Sequence, residues 1–301
     1  MKEVHAENLV GDTPTLEVNL SQNDEVKTFI KLEGYNPTGS IKDRAALNII
    51  RKKIAAGELS DGKTILDASS GSFACAMSYF GMLYGFPVLT VTGTKMTEDK
   101  LKFVNYFGAK NISIDAKFTI ESNEYCKNKL IFENPEKFCF LDQLHNWDNP
   151  EAHYLTTGPE ILRDFPNLSA VAFSIGSGGT LCGVSKFLRE KSPNTKIIAV
   201  TADKGTKIPG TAGFLDGEYE TPFIKELNEK NRIDYTAVIN EDDAKKNILS
   251  LRKNGLYAGI QTGGVIQGTV DAIKELDLRG DIVLISGDSG WKNSDKLDLL
   301  I

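Results

Sequence analysis

Lys42 is the residue in this chain best placed to act as a nucleophilic amine. The turn-forming run Asn36-Pro37-Thr38-Gly39-Ser40 leads into it, and an apolar pattern of helical spacing begins there. A lysine fixed at a helix start has lost most of the freedom of a surface lysine, and the positive end of the helix dipole opposes its charge. Both effects favour the neutral amine that Schiff-base chemistry needs. Taken alone, a lysine in a first helical turn reads as a solvated surface cation, because lysine is mostly exposed. Its company elsewhere in the chain argues against that plain reading.

Two strand-to-helix turns rich in small residues are that company. Gly176-Ser177-Gly178-Gly179-Thr180 follows the apolar run 170–175 and opens a helix. Its backbone N–H groups can converge on an anion with the helix dipole behind them, and glycine lets the backbone approach phosphate oxygens. No Gly-Lys-Ser/Thr ends the loop, so it is not a P-loop, and it fits G-x-G-x-x-G poorly. By itself such a loop serves tight helix packing as readily as ligand binding. Ser69-Ser70-Gly71-Ser72 precedes the helix that starts near Phe73; its hydroxyls and free N–H groups suit a carboxylate better than a bulky phosphate. Alone, those serines read as an N-cap with spares. An amine, a phosphate cradle and a carboxylate cradle on one scaffold point to an aldehyde cofactor and an amino-acid substrate. Pyridoxal phosphate is the cofactor that needs a lysine for its aldehyde and a glycine cradle for its phosphate.

The scaffold follows from the alternation of periods. Short apolar runs at 26–33, 63–68, 88–91, 112–114, 139–141, 170–175, 197–201, 235–239 and 282–285 read as strands. Helical spacing occupies 42–56, 73–83, 97–108, 121–132, 151–164, 181–188, 241–253 and 265–276. Strand–helix repetition of this kind predicts an α/β fold of mainly parallel sheets covered on both faces, in two interleaved three-layer domains. The expected division is a smaller N-terminal domain of residues 36–145 and a larger one of residues 1–35 plus 146–301. Ligands in such sheets gather beyond the carboxyl ends of the strands, where both small-residue turns stand. Residues 204–220, rich in glycine and proline, are expected to be a mobile or irregular loop.

Composition narrows the function class. The chain has 301 residues, 41% hydrophobic and 25% charged, which is ordinary for a soluble globular enzyme. A net charge of −6 without a basic stripe predicts no nucleic-acid partner. No apolar run approaches the ~20 residues needed to cross a bilayer. Met1-Lys2-Glu3-Val4-His5 carries no apolar signal segment, so a cytoplasmic location is expected. No regulatory haem or sensor domain is expected beyond Trp291. Cys75, Cys126, Cys139 and Cys182 lack C-x-x-C spacing and read as buried thiols. His5, His145 and His153 form no H-E-x-x-H pattern, so neither a metal site nor a serine triad is expected.

Three motifs carry a specific resemblance. Residues 36–44 resemble the N-P-x-G-S-x-K-D-R segment of the cysteine synthase (O-acetylserine sulfhydrylase) and cystathionine β-synthase family. His153-Tyr154-Leu155-Thr156-Thr157-Gly158-Pro159-Glu160-Ile161 resembles its H-x-x-T-T-G-P-E-I segment, and residues 176–180 its G-T-G-G-T loop. The likeness runs in register from about residue 10 to residue 289. It implies pyridoxal-phosphate fold type II, the tryptophan synthase β-like architecture, with a mobile part at about 84–131 that closes the site and a homodimer as the assembly. Residue by residue, it implies that Lys42 holds the cofactor aldehyde and shuttles the substrate's α-proton. Gly176, Ser177, Gly178, Gly179 and Thr180 would hold the phosphate. Ser69, Ser70, Gly71, Ser72 and Phe73 fall on the family's T-S-G-N-T loop, which binds the substrate carboxylate, and Gln143 matches a glutamine that touches the same group.

The chain departs from that pattern where the substrate would sit. Ser72 replaces an asparagine that bonds the cofactor's 3′-oxygen, which a shorter hydroxyl reaches through a water. Phe73 replaces a threonine. Gln261-Thr262-Gly263 replaces S-S-G, whose first serine faces the pyridine nitrogen; either Gln261 or Thr262 could take that place, Thr262 being chemically closer. Lys207-Ile208-Pro209-Gly210-Thr211-Ala212-Gly213-Phe214 resembles the family's entrance loop, one residue short. A neutral partner at the ring nitrogen, with no acid to protonate it, suits β-elimination better than transamination or racemisation. The resemblance thus implies β-replacement on an activated serine through an aminoacrylate, as a cysteine synthase that converts O-acetylserine and sulfide to cysteine and acetate. One alternative has cysteine as donor and releases hydrogen sulfide, or serves a specialised pathway with another small nucleophile. Another is a degenerate homologue that binds the cofactor or a partner without turnover, which Ser72 and Phe73 motivate.

Overall fold

Ala170, Val171, Ala172 and Phe173 follow one another without a polar break, and all are buried. Successive strand residues face opposite ways, so such a run needs cover on both sides. The computed structural model, which describes residues 5–69, 71–93 and 96–297, supplies it. Ala170 and Ala172 pack with Ile282 and Leu284 in one core, and Val171 and Phe173 with Val283 and Ile285 in another.

In chain order the strands are Thr15–Val18 (β1), Val26–Leu32 (β2), Thr64–Ala68 (β3), Val88–Thr92 (β4), Lys110–Ser113 (β5), Phe138–Phe140 (β6), Leu168–Ser174 (β7), Lys196–Ala202 (β8), Tyr235–Ile239 (β9) and Gly280–Ser286 (β10). They form a six-stranded sheet in the order β1-β2-β10-β7-β8-β9 and a four-stranded sheet in the order β5-β4-β3-β6. Among the named strands of the described residues, β1 pairs with β2 antiparallel and the other pairings are parallel. The fold class is therefore the expected one. The chain begins in the larger sheet, builds the smaller one between Thr64 and Phe140, and returns. All four cysteines are buried free thiols, as their apolar surroundings predict.

Some elements differ from the periodicity. The edge strand β1 was too short to announce itself. The helix Pro222–Glu229 buries Phe223, Ile224 and Leu227, and its proline stands in the first turn, where that residue is at home. The expected helix 265–276 is Ile260–Glu275, its beginning hidden by the Gly263-Gly264 pair. The helices expected at 121–132 and 151–164 each contain a widened π-helical turn, at Cys126–Ile131 and His153–Thr157.

The Lys42 helix (Lys42–Ala55) is pinned to the larger sheet by a buried ion network. Arg44 donates twice to Glu33, at 2.7 and 2.8 Å, and twice to Glu160, at 2.6 and 2.7 Å. Lys31 Nζ stands 2.9 Å from Glu160, so the network holds as many cations as carboxylates. Two bidentate pairs are the geometry in which guanidinium bonds are strongest. Burial works against both carboxylates, yet Arg44 and Lys31 prevail: Glu33 lies below its ordinary value and Glu160 is held at about 2. Arg44 belongs to the Lys42 motif and Glu160 to the His153 motif. These two stretches, far apart in sequence, are the two sides of one ion pair.

Candidate active site

The turn before Lys42 is built against the loop that follows β10. Ile41 N–H donates to Gly287 O at 2.8 Å, and Ser289 N–H to Gly39 O at 3.0 Å. Gly39 has φ +79°, and a Cβ there would stand 2.8 Å from Trp291 Nε1, so only glycine closes this turn. Asp43, in the first helical turn, reaches back to accept from Thr38 N–H at 2.7 Å and from the Thr38 hydroxyl. Burial raises the Asp43 carboxyl to about 6, against Lys292 and those Thr38 bonds. Lys42 is thereby held half-buried, facing a cavity of about 290 Å³. Burial lowers its pKa, and Asp288 opposes the shift. A neutral amine is thus accessible closer to neutrality than for a surface lysine.

That cavity opens beyond the carboxyl ends of β3, β7 and β10, as expected for parallel sheets. Its wall includes Lys42, Ser69, Gly71, Ser72, Phe73, Gln143, Gly176, Ser177, Gly178, Gly179, Thr180 and Gln261. Thr262 is absent from it. Thr262 is fully buried, with its hydroxyl 2.9 Å from that of Ser286. The preference for Thr262 over Gln261 as the residue facing the ring is corrected by that placement. Ser70 lies outside the described residues.

The glycine loop runs from the end of β7 into the helix Gly179–Lys191, with Gly178 at φ +84°. A Cβ on Gly179 would lie 2.3 Å from Asn149 Oδ1, so the cradle exists only without one. Thr221 donates to Ser177 O at 2.7 Å and steadies the loop from outside. Thr180 meets His153 Nε2 at 3.2 Å, while His153 Nδ1 meets Thr157 at 2.9 Å. Burial first, then the nearby Arg44 and Lys42, keeps His153 neutral with a pKa well below the usual range. The π turn therefore aims an uncharged imidazole at the cradle.

The carboxylate turn is ordered by its neighbours. Gly71 N–H donates to the Ser69 hydroxyl at 3.3 Å, and the helix Ser72–Leu83 begins there. Gln143 donates from its backbone to Asp67 Oδ2 at 3.0 Å and from Nε2 to Ala68 O at 2.9 Å. Burial raises Asp67 to about 8, so it accepts the Gln143 and Ala68 backbone N–H groups as a largely uncharged carboxylic acid at neutral pH.

Several wall residues escaped the sequence reading. Gln261 accepts from the Ser174 hydroxyl at 2.6 Å and donates to Asp288 Oδ1 at 2.9 Å. A carboxyl therefore stands on the wall where no acid was expected, although it is bonded to Gln261. Burial raises the Asp288 pKa, against Gln261 and the amines of Lys100, Lys292 and Lys42. Ser174 and Asp288 end β7 and follow β10, so strand ends were the available signal. Glu218, Tyr219 and Asn293 also line the cavity. The Asn293 Oδ1 is buried without a partner among the described residues.

A desolvated lysine amine, a glycine loop that a Cβ would distort and an unpartnered buried amide oxygen in one cavity fit pyridoxal phosphate. This defines an α/β enzyme of fold type II that uses pyridoxal phosphate. The chain belongs to the family described as "Pyridoxal-phosphate dependent enzyme", which matches residues 6–288. It is 29% identical over 290 residues to cysteine synthase B of Pseudomonas aeruginosa, covering 92% of this chain and 95% of that one. Among solved structures it resembles a hydrogen sulfide-producing enzyme from Fusobacterium nucleatum, with 29% identity, TM-score 0.85 and coverage of 96% and 98% of the two chains. It also resembles O-acetyl serine sulfhydrylase isoform 3 from Entamoeba histolytica, with 25% identity, TM-score 0.87 and coverage of 99% and 96%. No helix among the described residues is long and apolar enough to cross a membrane.

Gly179→Ala should weaken pyridoxal-phosphate affinity by at least about tenfold, roughly 1.4 kcal/mol. Absorbance titration of the cofactor-free protein measures it. Undiminished affinity would place the phosphate elsewhere.

Proposed function

We propose that this protein catalyses β-replacement on an activated serine, as a cysteine synthase that exchanges the acetate of O-acetylserine for sulfide. The observation that carries this reading is the shared cavity of Lys42, the 176–180 cradle and the 69–73 turn. Pyridoxal phosphate, when bound, supplies an aldehyde for the substrate amine and an electron sink for its Cα. Gly176, Ser177, Gly178, Gly179 and Thr180 hold its phosphate, Lys42 its aldehyde carbon, Gln261 its ring nitrogen and Ser72 its 3′-oxygen.

The other tasks belong to the chain. Ser69, Ser70, Gly71, Ser72 and Phe73 orient the substrate carboxylate, with Gln143 alongside, its amide steadied by Ala68. The Lys42 amine takes the proton from Cα and returns one. Phe73, 1% exposed, and Phe118 narrow the cavity and exclude water. The proposal includes the division at 36–145 and the movement of about 84–131 as a cover, to which Phe118, Thr119 and Ile120 belong. A cytoplasmic homodimer is part of the same reading.

The test is a spectroscopic and product screen of O-acetylserine, O-phosphoserine, serine and cysteine with the cofactor-loaded protein. Cysteine formation from O-acetylserine and sulfide is expected to be the fastest reaction. No spectral change with any β-substituted alanine would sink the proposal. A second reading, in which cysteine is the donor and hydrogen sulfide the product, draws on the likeness to the Fusobacterium nucleatum enzyme. Sulfide release outrunning cysteine synthesis would decide for it. Restoring asparagine and threonine at 72 and 73 addresses the third, degenerate reading. That double variant should alter donor preference while the parent already turns over; synthase activity appearing only in the variant would favour degeneracy.

A further inference from the structure

A hydrogen-bonded chain that the roles above leave unused ends at the cavity wall. Asp142 and His145 follow β6, on the side of the smaller sheet, whereas Tyr219 belongs to the 204–221 loop of the larger one. His145 Nδ1 lies 2.8 Å from Asp142 Oδ1, and His145 Nε2 lies 3.1 Å from the Tyr219 hydroxyl. Tyr219 lines the cavity. The chain thus spans both halves of the molecule and ends at the space where substrate would lie.

Its polarity is set by the carboxylate. Asp142 accepts the His145 Nδ1 proton, which leaves Nε2 as acceptor for the tyrosine O–H. The phenolic oxygen then keeps lone pairs free to accept from a group in the cavity. Asp142 is itself anchored by Asn123 Nδ2 at 2.9 Å and Lys127 Nζ at 2.9 Å. It holds φ at +54°, a left-handed conformation that aspartate tolerates better than most residues. Burial opposes its charge, yet bonds from His145, Lys127 and Asn123 keep its carboxyl below the usual range. A base oriented by a carboxylate and facing a hydroxyl is the general arrangement for activating an O–H or receiving a proton through it.

We propose that Tyr219, backed by His145 and Asp142, receives the proton of the incoming protic nucleophile in the second half of the replacement reaction. The inference rests on the β-replacement reading and names the group that activates the nucleophile at that site. As hydrogen sulfide or a thiol forms its S–C bond to the substrate β-carbon, its S–H bond breaks. That proton joins the tyrosine oxygen, and the tyrosine's own proton passes to His145 Nε2. The imidazolium, beside Asp142, later returns the proton along the same path, through the Tyr219 oxygen to water in the cavity once product has left. No oxidant, reductant or further reactant is needed. Tyr219 meets the nucleophile, and His145 and Asp142 act through it.

Among the described residues, the charged and titratable groups around this chain include Asp142, Lys127 at 3.4 Å from His145 Nδ1, Asp67 behind Asp142 and Lys127, Lys225 at 5.8 Å from the Tyr219 ring centroid, and Glu218 beside Tyr219 on the cavity wall. His145→Gln keeps an acceptor for the tyrosine hydroxyl but not a base, and Tyr219→Phe removes the hydroxyl with little change of shape. The two half-reactions are timed separately in the loaded protein: acetate release from O-acetylserine without sulfide, then the reaction with sulfide. In both variants the ratio of second to first rate should fall about 100-fold, within the span of general acid–base catalysis. The deficit should shrink as pH rises, because sulfide then arrives already deprotonated. A deficit of the same size at every pH means that the chain only latches the two halves together, and overturns the proposal; an unchanged ratio does the same. Failure of the wild-type protein to release acetate sinks the parent reading instead. An independent arm needs no cofactor. Nitrogen-15 NMR of His145 in the cofactor-free protein should show the Nδ1-protonated tautomer, and the Nε2-protonated one would overturn the relay.

Discussion

Replacing Lys42 with alanine is expected to reduce turnover by about 1000-fold or more while leaving thermal unfolding near that of the parent. Alanine is the best helix former, and the Lys42 side chain is the first of its helix. The amine it removes is one that burial already disfavours in its charged form. A lysine whose folded pKa lies below its unfolded value costs stability wherever the unfolded chain binds the extra proton, that is, below the ordinary 10.5. Its removal should therefore be neutral or slightly stabilising at neutral pH. The same depression has a kinetic consequence: in the parent, the rate limb that depends on the free amine should rise with pH and level off below the range of an ordinary lysine. The readouts are kcat against pH and the unfolding midpoint of both proteins. A variant retaining a tenth of the parent's turnover would remove Lys42 from the chemistry.

Arg44→Met is expected to cost about 3–5 kcal/mol, because it strands two buried carboxylates. Glu33 and Glu160 would then share Lys31 as their nearby cation. The sign of the pH dependence follows from the depressed values. In the parent, each carboxylate contributes stability that is present above the unfolded value of 4.5 and is lost as pH falls through the folded one, about 2 for Glu160. In the variant that contribution is gone, so the gap between the two proteins should be widest near neutrality and narrow as pH falls below 4.5. Urea unfolding at about pH 7 and about pH 4 measures it. A gap below about 1 kcal/mol at neutrality would mean that water or repacking compensates the stranded charges. The network also explains why the Lys42 and His153 motifs are so long: each supplies one partner of a pair that a single substitution would leave buried and unpaired.

How far the chain could be read follows the range of the forces involved. The alternation that predicts parallel sheets is local, because a strand buried on both faces must be apolar at nearly every position, as at 170–173. The cradle at 176–180 and the turn at 69–72 were legible for the same reason: their glycines and serines stand in consecutive positions between a strand and a helix. Asp288 and Tyr219 were not. Each is an ordinary polar residue in its own stretch, and nothing nearby shows that β10 ends beside β7 or that the 204–221 loop reaches His145.

Gln261 and Thr262 divide the two kinds of knowledge most sharply. The sequence by itself determined the family likeness, the fold class and the cofactor, and it singled out Lys42, since each rests on a contiguous motif with a backbone reason behind it. It also narrowed the candidates for facing the ring to residues 261 and 262. Neighbours on a helix point about 100° apart, so which one meets the cavity depends on how the helix Ile260–Glu275 is rolled against its surroundings. Only the tertiary structure decided that, by pairing Thr262 with Ser286 inside the core and leaving Gln261 between Ser174 and Asp288 on the cavity wall.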